Sequence, residues 1–237
     1  MGYASPSSRP FGRNDVSDSL VADPWFGSLA PTVQQRLRAA GTQVRFPAGA
    51  FLFRQGDVPS GFLGLVHGSV KISTLREDGR EAILAVLRPG NWFGEGSMVD
   101  RFPRVHDATA AEACELLLVP PDTFDALMRD ADFARAIALL ASLHARAVFG
   151  MLEDATLRST RAQVARRLQR LAGGFADQPP VQPELEITQD ALAMMLGITR
   201  QTLALELKAM VTAGAITLGY GRIRIESFER LKALEAP

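Results

Sequence analysis

The residues best suited to act on another molecule lie in one run, Thr188 to Met210, TQDALAMMLGITRQTLALELKAM. Arg200 carries a planar fork that matches a guanine edge, and the amide of Gln201 matches an adenine edge. Thr188 and Thr199 each precede a helical pattern, where a side-chain oxygen can accept an orphan backbone N–H. Leu192, Leu196, Leu203 and Leu207 recur at helical spacing and supply the buried faces. Ala193 is small where two helices would cross, and Gly197 sits at the sharp turn between them. The arrangement is that of a helix-turn-helix. It places Arg200, Gln201 and Thr202 in the first turn of the second helix, the end that meets bases in a major groove. An ordinary helix pair in an α-helical core has the same leucine spacing and is the alternative for this segment taken alone.

The next segment favours a nucleic-acid partner. Val211-Thr212-Ala213-Gly214 ends the second helix. Ala215 to Leu218 and Arg222 to Ile225 then flank Gly219-Tyr220-Gly221, which predicts a hairpin, and a hairpin placed there is a wing. Arg222 and Arg224 alternate with Ile223 and Ile225, so one face is expected to be cationic and able to meet phosphates. A plain solvated hairpin is the alternative. The candidate DNA contacts are Thr188, Gln189, Thr199, Arg200, Gln201, Thr202, Lys208 and Arg222.

A second chemistry is suggested by RPGNWFGEGSMVDRFPR, residues 88–104. Gly94, Gly96 and Ser97 stand at the opening of a predicted short helix, where free backbone N–H groups suit an anion. Arg104 adds a fork that pairs with phosphate, and Glu95 can accept a sugar hydroxyl. Without context this motif is weak.

These residues need a scaffold of two kinds. Nine of the 20 glycines lie between Gly49 and Gly96, and none lies between Ser97 and Phe149. The glycine-rich half predicts strands over 43–46, 51–54, 61–66, 69–75, 81–87 and 114–119, with turns at Glu77-Asp78-Gly79 and Arg88-Pro89-Gly90. Regularly spaced short strands imply a β-barrel or roll. Trp25-Phe26 and residues 32–37 suggest a helical lead-in. Pro121-Asp122-Thr123 opens a short helix, and residues 131–154 form a long helical pattern. Phe133, Ile137, Leu140, Ala147 and Met151 recur there at spacings near those of a coiled-coil seam. Packing on its own domain is the alternative for that stripe. Arg158, Arg161, Arg166, Arg167 and Arg170 follow with no acidic residue among them, and are expected mainly to be a solvated face. Gly173-Gly174 and Pro179-Pro180 mark the loop before the short strand 184–187.

Composition narrows the classes. The chain has 237 residues, 47% hydrophobic and 22% charged, with zero formal net charge, which fits a soluble globular protein and argues against wholesale coating of nucleic acid. Residues 155–237 hold 11 basic and 8 acidic residues, a net +3, against −3 for the remainder. Cys114 is the only cysteine, so neither an intrachain disulfide nor a cysteine-ligated iron–sulfur cluster is expected. His67, His106 and His144 form no HxH pair for a metal, and no P-loop or Ser–His–Asp layout is found, so no enzyme is expected. No apolar run of roughly 20 residues spans a bilayer, and no membrane partner is expected. The first 24 residues read as a disordered arm of a cytoplasmic protein.

Taken together, the run from about Phe26 to Leu234 resembles the Crp–Fnr family of bacterial transcription regulators. The likeness is carried by RPGNWFGEGSMVDRFPR, ITQDALAMMLGITRQTLALELKAM and LGYGRIRI, in that order. It implies an α+β fold: an N-terminal double-stranded β-roll, jelly-roll-like and of cyclic-nucleotide-binding type, then a long dimerisation helix and a C-terminal winged helix-turn-helix. The expected divisions are 1–24, 25–130, 131–156 and 157–237. The resemblance implies that Glu95 holds a ribose hydroxyl and Arg104 a cyclic phosphate, with Gly94, Gly96 and Ser97 forming the cassette backbone. It also implies a homodimer, double-stranded DNA, RNA polymerase as a candidate partner, and a cyclic nucleotide or other small anionic effector of open identity.

Three positions depart from the family pattern. Members that bind cyclic AMP usually carry Ser or Thr after the cassette arginine, where this chain has Val105. A lost hydrogen bond to a charged group costs roughly 1.5–3 kcal/mol. The purine-facing positions fall near Val148 and Phe149, which are apolar. Leu205 stands one turn into the recognition helix, where many members have a basic residue. That leucine leaves a non-DNA-binding sensor or interaction module, with a degenerate helix-turn-helix, as the alternative function.

Overall fold

The computed structural model describes residues 20, 23–75, 81–157, 159–173 and 183–235. The expected N-terminal arm, the 77–79 turn, Arg158 and most of the loop around Pro179-Pro180 lie outside the described residues. The chain divides into two compact units, residues 1–74 with 84–143, and 75–83 with 144–237.

In the first unit, two short helices, α1 (Pro24–Ser28) and α2 (Pro31–Ala40), precede eight strands, of which residues 75 and 81–83 fall in the second unit. These are β1 (Thr42–Phe46), β2 (Phe51–Phe53), β3 (Phe62–His67), β4 (Val70–Leu75), β5 (Glu81–Leu87), β6 (Trp92–Phe93), β7 (Asp107–Ala110) and β8 (Cys114–Val119). They form two four-stranded sheets, ordered β1-β8-β3-β6 and β2-β7-β4-β5, the β-roll. The six predicted strands are present within a residue or two. Sequence reading missed β6 and β7. Trp92-Phe93 sits inside the cassette motif, and Asp107-Ala-Thr-Ala110 has too little β-branched or aromatic character to signal a strand.

The core of this unit is aromatic. Trp92 stacks on Phe26 at 5.4 Å and on Phe62 at 5.0 Å. Phe124 bridges Phe62 and Phe133, each at 5.6 Å. Phe124 lies on α4 (Pro121–Met128), and Phe133 on the long helix α5 (Ala131–Leu157). The Trp25 indole N–H donates to the Ala136 carbonyl at 2.7 Å, so the lead-in helix and α5 share one core.

The stripe read as a possible dimer seam is therefore largely internal. Phe133, Ala136, Ile137 and Leu140 are buried in their own unit, and Ala147 is also buried. A different stripe of α5 is open: Ala138, Ala141, Ala145, Val148 and Leu152 are all exposed. The predicted stripe thus follows the alternative kept for it, packing on its own domain, because the β-roll takes that apolar face over the first turns. The stretch Ala131–Glu153, of mean hydropathy 1.4, is by length and composition apolar enough to cross a bilayer, which qualifies the sequence expectation. Phe133, Ala136, Ile137 and Leu140 of this stretch belong to the β-roll core.

The second unit contains α6 (Thr160–Gly173), β9 (Glu184–Glu186), α7 (Gln189–Leu196), α8 (Arg200–Thr212), β10 (Ile216–Gly219), β11 (Arg222–Ile225) and α9 (Phe228–Ala233). The sheet order is β10-β11-β9. Ala162, Val164, Ala165, Leu168, Leu171 and Ala172 of α6 are buried with Leu192, Leu203, Leu207 and Met210.

The arginines of α6 are only in part the solvated face expected: Arg161 is exposed, Arg166 and Arg170 are half-buried and Arg167 is buried. Arg161 pairs with Glu206 at 2.8 Å and Arg166 with Glu235 at 3.1 Å. Arg167 is buried and donates to the Ile83 carbonyl at 3.3 Å. Burial, aided by the nearby Arg170 charge, pulls the Arg167 guanidinium down to about 10, still protonated at neutral pH. Arg161, Arg166 and Arg167 each meet an acceptor distant in sequence.

Cys114 is 1% exposed, and burial pushes its thiol up to about 12. The thiolate is the reactive form. Iodoacetamide at pH 8 should leave Cys114 unmodified in the native protein and alkylate it within minutes in denaturant, read by intact mass. Equal labelling rates in both conditions would contradict this burial.

Candidate nucleic-acid interface and anion cassette

The helix-turn-helix is built by local rules. Thr188 Oγ1 accepts from the Ala191 N–H at 3.1 Å and caps α7. Gly197 ends α7 at φ +65° and donates back to Ala193 and Met194. A side chain at such a φ would be strained, so glycine suits the turn. Thr199 Oγ1 then accepts from the Thr202 N–H at 3.1 Å and caps α8. The two hydroxyls, Thr199 and Thr202, lie 2.9 Å apart, so Thr202 is already engaged at the cap.

On α8 the burial pattern decides which side chains face outward. Leu203, Leu207 and Met210 are fully buried. Arg200, Gln201, Ala204, Leu205 and Lys208 are exposed. With about 100° per residue, Gln201, Leu205 and Lys208 share a face opposite the core leucines. Gln189 is half-buried at the start of α7, and Thr188 and Thr199 are exposed.

Acidic neighbours attend several cations, and sequence reading did not anticipate them. Arg200 Nε lies 3.6 Å from Asp190. Arg222 is bracketed by Glu184 at 3.3 Å and Glu186 at 3.1 Å, and Arg224 lies 3.7 Å from Glu226. The β11–β9 register sets Arg222 opposite Glu186 and Arg224 opposite Glu184. The wing therefore carries a cross-strand ion-pair face, not the purely cationic one expected. Its alternation is as predicted, with Ile223 and Ile225 buried and the arginines exposed. All of these side chains are largely exposed, so each pair is weak and screened by salt.

In the first unit the cassette closes on α3 (Glu95–Asp100), whose N-cap Gly94 has φ +86°. A Cβ on Gly94 would stand 2.7 Å from Arg104 Nη1, so glycine makes room for the guanidinium. Arg104 is 3% exposed. Its Nη1 donates to the Gly94 carbonyl at 2.8 Å and its Nη2 to the Gly61 carbonyl at 2.5 Å. The guanidinium lies 4.3 Å from the centre of the Phe53 ring. Its Nε is buried with no hydrogen-bond partner.

Burial lowers the Arg104 pKa to about 10, against the opposing charges of Glu95 and Asp57. It stays cationic at neutral pH. Glu95 is buried, Gly96 exposed and Ser97 half-buried. A buried cation with an unused N–H, beside the helix opening, fits an anionic group. Val105 is 64% exposed and offers no donor. Burial holds the neighbouring His106 imidazole below its ordinary pKa, although Asp107 opposes this. Val148 and Phe149 are exposed on α5 and belong to the second unit. Gly61, Phe53 and Asp57 were missed as surroundings of Arg104, because nothing local in the sequence ties them to it.

Comparison with known proteins agrees with this geometry. Residues 43–131 match the cyclic nucleotide-binding domain model, and residues 162–234 match the Crp-like helix-turn-helix domain model. The chain is 28% identical to the cyclic AMP receptor protein of Thermus thermophilus over 91% of this chain and 98% of that protein. It is 26% identical to a CRP-like cAMP-activated global transcriptional regulator of Mycobacterium tuberculosis, over 87% and 93% of the two chains. Among solved structures, the catabolite activator protein of Thermus thermophilus aligns at 28% identity with a TM-score of 0.52, covering 90% and 98%. A CRP/FNR-family regulator from the same species shares the fold at a TM-score of 0.67 and 24% identity, covering 81% and 97%. With both domains matched in order and relatives aligned nearly end to end, the chain belongs to the Crp–Fnr family of DNA-binding transcription regulators.

Proposed function

We propose that this regulator works as a homodimer that reads an operator through Arg200 and Gln201, under control of an anionic effector held at Arg104. The observation that carries the reading is the exposed leading end of α8, where Arg200 and Gln201 stand clear of a helix held by buried leucines. Thr188, Gln189, Thr199 and Lys208 flank this end and suit phosphate or backbone contacts. Arg222 must exchange Glu184 and Glu186 for a phosphate. Thr202 supports the cap. The domain divisions implied are a β-roll over 25–130, a dimerisation helix and hinge over 131–156, and a DNA-binding domain over 157–237. A transcription regulator of this design has no catalytic role, works in the cytoplasm, and has RNA polymerase as a further candidate partner.

Pairing is assigned to the open stripe Ala138, Ala141, Ala145, Val148 and Leu152. Its spacings of 3, 4, 3 and 4 residues follow a coiled-coil seam, and the alanines allow close approach. Two recognition helices then face half-sites about one helical turn, roughly 34 Å, apart. The effector's phosphate is expected at the unused Arg104 Nε and the N–H groups near Gly96 and Ser97. With Val105 in place of a hydroxyl, the donor set is smaller than cyclic AMP usually receives in this family. Effector binding shifts the heads only to the extent that it favours one arrangement over another.

Three outcomes test the reading. Arg200→Ala should weaken the selected operator by about 10- to 100-fold and relax one base position, with the dimer intact, measured by gel shift and sequence selection. Unchanged selectivity would remove Arg200 from the reading set. Leu152→Glu should raise the dimer dissociation constant at least about tenfold in sedimentation equilibrium, since a charge in such a seam is costly. A panel of cyclic mono- and dinucleotides should contain one that raises the melting temperature, by about 2.7 kcal/mol of stabilisation at 100 times Kd. Arg104→Ala should abolish that rise, and an equal rise in both proteins would exclude Arg104 from the site.

A further inference from the structure

We propose that Leu205 is a specificity-determining residue that reads the C5 methyl group of a thymine in each half-site. The inference rests on the DNA-reading role of α8 and extends it to a position where no hydrogen-bond donor is available.

Leu205 is 70% exposed, on a helix whose other leucines, Leu203 and Leu207, are fully buried. A single exposed leucine is common and by itself means little. Its surroundings give it meaning. Gln201 precedes it by one turn and Lys208 follows it by about another, both exposed on the same face. The leading end of that helix holds Arg200, capped by Thr199. A side chain between a base-reading amide and a phosphate-reaching ammonium lies within the footprint of a duplex.

Branched aliphatic carbon cannot pair with the polar edges of guanine, cytosine or adenine. The one apolar feature in a major groove is the thymine methyl. Leucine at this place favours thymine by methyl contact. It also disfavours guanine and cytosine, whose polar edge groups would lose water without gaining a partner. The residue thus adds attraction for one base and rejection of others. Arg200 and Gln201 alone would leave this base pair unread.

The experiment uses the full-length protein. Operator sequences are selected from a random library with and without cyclic AMP. Each thymine of the preferred operator is then replaced by uracil in both half-sites, which removes the methyl and leaves base pairing unchanged. One symmetric thymine position should lose roughly fourfold in affinity per half-site, the worth of one buried methyl-sized group. Leu205→Ala should bind the thymine and uracil operators equally and keep its sensitivity at the bases lost in Arg200→Ala. Leu205→Arg should shift the selected base at that position to guanine. No methyl-sensitive thymine, or a uracil effect that persists in Leu205→Ala, would overturn the inference while selective binding upheld the DNA-reading role. Selection of no sequence under either condition would overturn both.

Discussion

The interaction on which the DNA-binding end depends is the burial of Leu203, Leu207 and Met210 against α6 and α7. Each fully buried side chain of this kind contributes about 1.5–3 kcal/mol. Together they fix the rotation of α8 about its axis, and a helix has only one rotation for a given buried stripe. Gln201, Leu205 and Lys208 face outward because the leucines face inward. Gly197 and the two threonine caps set where α8 begins, and so set which residues occupy its first turn. Function at this end is the outer half of a packing solution.

Charge is handled differently at the two candidate sites. Around the helix-turn-helix and wing, the arginines sit in exposed pairs with Asp190, Glu184, Glu186 and Glu226. Such pairs are worth little in water, and a row of phosphates competes well with them. They keep the free surface close to neutral and give up their partners readily. Arg104 is held in another way. It is buried, bound to two main-chain carbonyls, and laid over Phe53. Carbonyl dipoles hold a cation without cancelling its charge. The guanidinium stays charged inside the β-roll, with Glu95 and Asp57 as its nearby opposing charges and one N–H unused.

The long helix joins these two regimes in one element. Its first turns complete the aromatic core through Phe133, Ile137 and Leu140, and leave Ala138, Ala141, Ala145, Val148 and Leu152 open. One helix thus carries two apolar faces, one buried and one open. A face buried within the chain is part of the fold and cannot also serve as an interface, so only the second stripe is left open for the pairing proposed above.

The amino-acid order alone determined the local elements: the caps at Thr188 and Thr199, the turn at Gly197, the wing hairpin, six of the eight β-roll strands and the extent of α5. These are set by contacts within a few residues, which sequence patterns record directly. The tertiary structure decided the partners. Arg104 meets Gly61 across 43 positions, Arg161 meets Glu206 across 45, Arg166 meets Glu235 across 69 and Arg167 meets Ile83 across 84. It also decided which stripe of α5 is core, and that the wing arginines face carboxylates. No periodicity encodes such pairings, because they depend on which surfaces the folded chain brings together.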